Sequence, residues 1–142
     1  MNYIVSSPET MIEFGTTLLQ IGHKFLVNGL LWAGKTHLCK WFANSLWIDS
    51  SQVHSPTYVY YHEYDHKLFH GDFYRISDPS ILMLRGIGNT IEDYDYCFIE
   101  WPNFPAYYAD SSRHIITIEY DSADENSRII TITPYTQNNL SF

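Results

Sequence analysis

Apolar residues along this chain change spacing several times, and each change marks an element. Residues 2–5 are β-prone and predict a short strand. Ser6 or Ser7 then caps a helix: Ser6-x-x-Glu9 has capping-box spacing, and Pro8 suits a first turn. Met11, Phe14, Leu18, Leu19 and Ile21 recur near helical spacing, and Gly22 ends the helix at C′. Phe25-Leu26-Val27 reads as a buried strand. Residues 36–46 read as a second helix, with Leu38, Trp41, Phe42, Ser45 and Leu46 on one face and Trp41 assigned to the core. A loop over 47–54 leads to two β-rich runs, 58–64 and 67–74, split by Asp65-His66 as in a hairpin.

Farther on, residues 78–84 predict a short helix stopped near Gly86 and Gly88, and Tyr96-Cys97-Phe98-Ile99-Glu100 an apolar strand closed by a carboxylate. After a loop over 103–112, residues 114–120 and 128–133 form an antiparallel hairpin joined by the polar run 121–127. That hairpin is expected to complete the sheet and to carry no chemistry. No linker or repeat divides the chain, so the expected organisation is one domain over residues 1–135 and a polar tail over 136–142.

Composition narrows the class. With 45% hydrophobic and 17% aromatic residues the chain is globular. It has no apolar run of membrane-spanning length, and its first residues lack a signal pattern, which predicts a cytoplasmic protein without a membrane role. Cys39 and Cys97 fall in apolar surroundings and are expected to be reduced, buried thiols. Eight basic against 16 acidic residues give a formal charge of −8, with no Lys or Arg run, so strong nucleic-acid binding by the chain alone is not expected.

Between the buried strand and the second helix stands Gly29-Leu30-Leu31-Trp32-Ala33-Gly34-Lys35-Thr36, a G-x-x-x-x-G-K-T phosphate-loop pattern. In such a loop backbone N–H groups wrap phosphate oxygens, the lysine reaches the β- and γ-phosphates, and the Thr hydroxyl ligates Mg²⁺. Gly29, Trp32, Ala33, Gly34, Lys35, Thr36 and His37 are therefore the nucleotide-binding residues expected in this segment. Thr10 either borders a nucleotide base or serves only in helix capping. Asp72 and Arg75, in His70-Gly71-Asp72-Phe73-Tyr74-Arg75, either serve a phosphate site or pair with each other at the surface. Glu100, at the end of its strand, suits a carboxylate that holds Mg²⁺ or its water. His62, His66 and His70 are spaced by four, with His54 upstream; this spacing admits a zinc site, against solvent-facing or hydrogen-bonded histidines.

The ordered set Ser7-x-Glu9-Thr10, the phosphate loop, Ser55-Pro56-Thr57-Tyr58, His70-x-Asp72-x-Tyr74-Arg75 and Ile99-Glu100-Trp101-Pro102 resembles the TsaE (YjeE) family of small P-loop ATPases over roughly residues 3 to 133. The resemblance implies a three-layer α/β P-loop NTPase fold with a mixed sheet. It also implies ATP and Mg²⁺ as cofactors, slow hydrolysis, and action in tRNA threonylcarbamoyladenosine synthesis beside a TsaD-type transferase and a TsaB-type companion. By motif, Lys35 meets the terminal phosphates, Thr36 and Glu100 serve the metal, Asp72 is a second acid near the γ-phosphate, and Thr57 belongs to a switch-like loop. Arg75 contacts phosphate or holds Asp72. The sequence departs from the family pattern at Leu30 (Asp), at Trp32 (Gly) and at Asn103 after Pro102 (Glu). A bulky residue at a positive-φ position costs on the order of 1–3 kcal/mol. Two further readings remain: a non-catalytic nucleotide-gated assembly module, and a small-molecule P-loop kinase, which four arginines in the whole chain disfavour.

Overall fold

The alternation of apolar residues along the strands fixes the architecture of the computed structural model. Residues 1–30, 32–110 and 112–139 are described; Leu31 of the phosphate loop, Ser111, and residues 140–142 of the tail lie outside them. The strands are β1 (Asn2–Val5), β2 (Lys24–Gly29), β3 (Tyr61–Tyr64), β4 (Leu68–Asp72), β5 (Tyr96–Glu100), β6 (His114–Asp121) and β7 (Asp124–Pro134). The helices are α1 (Pro8–Ile21), α2 (Lys35–Ser45), α3 (Ser80–Leu84) and α4 (Ile87–Glu92). One sheet holds all seven strands in the order β1-β7-β6-β2-β5-β4-β3.

On β2, Phe25 and Val27 enter one core and Leu26 the other. On β5, Phe98 takes the first side, and Cys97 and Ile99 the second. Period-2 alternation with both faces apolar is what a central strand covered on both sides requires. α1 and α2 close the first core through Leu18, Leu38 and Phe42; α3 and α4 close the second through Leu82, Ile87 and Ile91. The result is a three-layer α/β fold with a mixed sheet. β4, β5, β2 and β6 run parallel to one another, while β3 pairs antiparallel with β4, β7 with β6, and β1 with β7. Cys39 and Cys97 are free thiols buried in opposite cores, and burial raises the pKa of both. No helix among the described residues is long and apolar enough to cross a membrane.

Several boundaries differ from the sequence expectation. The capping box of α1 joins Ser7 and Thr10, not Ser6 and Glu9: Ser7 Oγ accepts from Thr10 N, and Ser7 N donates to Thr10 Oγ1. Gly22 does end α1, but in an extended conformation. Residues 58–60 are a turn instead of strand, and β3 starts at Tyr61. Asp65 and His66 both take positive φ (54° and 55°), as the central residues of a type I′ turn do, the Lys67 N–H closes the turn on the Tyr64 carbonyl, and strand pairing resumes at Leu68. The helical region does not stop at the glycines. Gly86 (φ 61°) breaks it, and α4 then buries Ile87 and Ile91 one turn apart. Trp41 is half-buried, packed on the rim of the first core with its indole N–H donated to His37 Nε2. The join between β6 and β7 is shorter than 121–127, because β7 begins at Asp124.

Candidate phosphate-binding site

Three parallel strands stop side by side and place the chemistry. In register, Glu100 of β5 faces Val27 of β2 on one side and Asp72 of β4 on the other. The carboxylates therefore stand at the C-terminal strand edge from which β2 runs into the phosphate loop and α2, the usual ligand crevice of open α/β sheets. Gly29 ends β2 under steric compulsion: a Cβ there would come within 2.8 Å of the Ile118 carbonyl oxygen of β6. Gly34 caps α2 with φ 111° and provides no side-chain cap, so the first N–H groups of the helix are left for a ligand.

Inside the loop, Lys35 is 5% exposed, and its Nζ donates to the carbonyls of Gly29 (2.7 Å) and Leu30 (2.8 Å). The ammonium also sits 4.3 Å from the centre of the Trp101 ring. Thr36 Oγ1 reaches both oxygens of Glu100, at 2.9 and 3.0 Å. One of these oxygens, Oε2, also meets His70 Nε2 at 2.5 Å. A carboxylate only accepts, so Nε2 carries the hydrogen, and the Tyr64 hydroxyl lies 2.9 Å from the other ring nitrogen. This chain of side chains from Tyr64 through His70 fixes the direction of Glu100, as outer partners fix metal-binding carboxylates. Asp72 accepts from Tyr74 N (3.0 Å) and Ser55 Oγ (3.3 Å).

Burial sets the electrostatics. It pushes the Asp72 carboxyl above the ordinary carboxylate range; the Tyr74 N–H opposes this and the Glu100 charge reinforces it. Burial also lowers the Lys35 pKa, an effect held back by Glu100 and Asp72. A hydroxyl and a carboxylate within 3 Å, with a second carboxylate on the adjacent strand, are hard oxygen donors of the kind Mg²⁺ takes. Among the described residues no group of three His, Cys, Asp or Glu side chains could hold a metal ion. That is compatible with a site where phosphate oxygens and waters fill most positions. The four-residue histidine spacing spans a hairpin, not a helix: His62 and His70 are cross-strand partners in β3 and β4, and His66 occupies the turn.

Of the residues singled out from sequence, Trp32, Gly34, Lys35, Thr36, His37, Thr57, Asp72, Arg75 and Glu100 line one cavity of about 600 Å³. Gly29 and Ala33 are not among the lining residues: the Gly29 carbonyl accepts from Lys35 Nζ, and Ala33 is buried. Thr10 is engaged in the α1 capping box and is not among the lining residues. Arg75 does not pair with Asp72; its guanidinium stacks 4.2 Å from the centre of the Tyr58 ring. Sequence reasoning did not assign Tyr58, Tyr74 and Trp101 to the cavity wall, although all three sit inside the motifs it quoted. Asn103 also takes a role: its amide donates to the carbonyls of Phe73 and Ile76, which an acceptor-only Glu could not do.

Trp32 adopts φ 67° and is 90% exposed, so this loop position keeps the left-handed conformation without glycine. The strain costs roughly 1–2 kcal/mol for a non-glycine residue, while a glycine would lose roughly 0.5–1 kcal/mol of backbone entropy. Trp32→Gly is therefore expected to leave stability unchanged or raise it by up to ~1.5 kcal/mol. Urea denaturation checks this, and a loss above ~2 kcal/mol would show that the indole packs on the loop.

The model of the family described as "Threonylcarbamoyl adenosine biosynthesis protein TsaE" matches residues 5–130. The Haemophilus influenzae tRNA threonylcarbamoyladenosine biosynthesis protein TsaE is 28% identical over 143 residues, covering 93% of this chain and 90% of that protein. The crystal structure of Bacillus subtilis YdiB superposes with a TM-score of 0.66 at 22% identity, covering 96% of this chain and 86% of that one, a likeness of fold.

Proposed function

The chain belongs to the TsaE family, and from that premise we propose that it binds and hydrolyses ATP with Mg²⁺ as a subunit of the assembly that makes threonylcarbamoyladenosine in tRNA. The observation that carries this reading is the Thr36 hydroxyl held on both oxygens of Glu100, beside a loop whose lysine is bonded to its own carbonyls. Lys35 would exchange Gly29 and Leu30 for phosphate oxygens, and Thr36 with Glu100 would hold the metal. Mg²⁺ bound there would neutralise charge on the β- and γ-phosphate oxygens. Asp72, buried on the adjacent strand end, would orient water. Thr57 and Tyr58 stand on the loop whose Ser55 touches Asp72, so a change at the phosphate would be felt there.

Arg75 is the one arginine lining the cavity among the described residues. Kinases gather several around donor and acceptor phosphates, so release to water is favoured over transfer to a metabolite. A formal charge of −8 leaves tRNA contact to the partners, a TsaD-type transferase and a TsaB-type companion, in the cytoplasm.

Trp101, 4.3 Å from the Lys35 ammonium, makes tryptophan fluorescence a reporter of the site. Titration with Mg²⁺-ATP is expected to saturate, and phosphate release to rise when the cognate TsaD and TsaB proteins are added. Absent binding overturns the nucleotide reading. Binding that drives assembly without stimulated release would leave a nucleotide-gated module.

A further inference from the structure

The C-terminal hairpin does more than complete the sheet. Arg128 of β7 donates from Nε to the carbonyl oxygen of Ala33 at 3.1 Å, across 95 positions of sequence. Its head group has little freedom: Nη1 donates to the carbonyls of Glu125 (2.8 Å) and Ser127 (3.0 Å), and the guanidinium carbon lies 4.3 Å from the centre of the Tyr120 ring. A guanidinium so held is a fixed fork that turns its Nε toward the Ala33 carbonyl.

The peptide plane transmits this contact. In a trans peptide the carbonyl and the following N–H point in opposite directions. Binding the Ala33 oxygen toward β7 therefore turns the Gly34 N–H away from β7, at a residue that lines the cavity. Gly34 has φ 111°, and the nearest atom to the place its Cβ would occupy is Met11 Cε at 3.8 Å. Glycine has no side chain to restrain its own φ, so a contact on the preceding carbonyl has something to fix.

We propose that Arg128 is a positioning residue for the phosphate loop, holding the Ala33–Gly34 peptide so that its N–H is presented to a bound phosphate group. The inference rests on the nucleotide reading above. It is tested by calorimetric titration of the parent, Arg128→Ala and Arg128→Lys with tripolyphosphate and with Mg²⁺-ATP, beside thermal melts without ligand.

Arg128→Ala is expected to weaken both ligands by the same factor, roughly tenfold, because the loss lies at the phosphates. Arg128→Lys, with one donor able to reach Ala33, is expected to recover part of it. A folded Arg128→Ala protein that binds both ligands as tightly as the parent overturns the inference and leaves the nucleotide reading standing, whatever its melting temperature. If Arg128→Ala does not fold, unaltered binding by Arg128→Lys overturns it, and parallel weakening supports it. A parent that binds neither ligand overturns both.

Discussion

Lys35→Ala is expected to weaken Mg²⁺-ATP binding by ~100-fold or more while leaving the fold nearly intact. The two halves of that expectation have separate causes. A buried ammonium between two acids and two carbonyls is the concentrated positive charge of the cavity, and the ligand carries several negative charges onto it. Without the ligand, that ammonium serves only to close the loop on itself. Leu30 is exposed, so water can replace Nζ at its carbonyl, and loss of the bond should cost about 1 kcal/mol. The cation–π contact with Trp101 adds a similar, small amount. Calorimetry with Mg²⁺-ATP and a thermal melt without it measure the two halves on one sample. A Lys35→Ala protein that still binds Mg²⁺-ATP like the parent would sink the phosphate-loop reading.

Asp72→Asn should move activity and stability in opposite directions. Phosphate release in the presence of partners is expected to fall ~100-fold or more, the scale of a positioned base or water-orienting carboxylate. The ligand-free protein should nevertheless melt at a higher temperature near neutral pH. Asp72 is 4% exposed, and burial raises its pKa in the folded chain above the ordinary carboxylate range. Between the ordinary and the raised value the folded state binds more protons than the unfolded one, so stability falls as pH rises through that window. Above it, the full penalty of a buried charge beside Glu100 is present. The neutral amide of the variant would remove that penalty while its oxygen still accepts from Tyr74 N. The stability advantage of Asp72→Asn should then shrink as pH falls back through the window, where Asp72 itself becomes neutral. Melts of both proteins as a function of pH check the sign. An advantage that grows toward acid pH would contradict it. Carboxylates kept ionised at such a cost are characteristic of sites where function opposes stability.

What the sequence disclosed about this molecule was mostly local. The strand–loop–helix order around Lys35, the turn at Asp65 and His66 and the carboxylate closing β5 are all written within a few residues of themselves. The three strand ends that bring Lys35, Asp72 and Glu100 together depend on register between β2, β5 and β4, and here family motifs stood in for a pairing that periodicity does not encode. His70 stood within a quoted motif, yet its bond to Glu100 joins strands 30 residues apart. Arg128 carried no local sign of its contact with Ala33, because nothing in the pattern of β7 distinguishes a brace from a solvated arginine. α4 was lost because glycines read as stops, whereas Gly86 only redirects the chain between two short helices. Thr10 shows the reverse: both of its sequence readings were local, and the structure gives its hydroxyl to the cap of α1.

The bond between Ala33 and Arg128 also has a meaning in time. During synthesis the phosphate loop leaves the ribosome first, and the residue that braces it follows 95 positions later. β1 waits for the same strand, since Tyr3 pairs with Ile130. A nascent chain that has emerged only through α4 would hold the signature loop without β6 under Gly29 or β7 behind Ala33. On the proposed nucleotide reading, the phosphate loop would reach its full grip only once the hairpin is out.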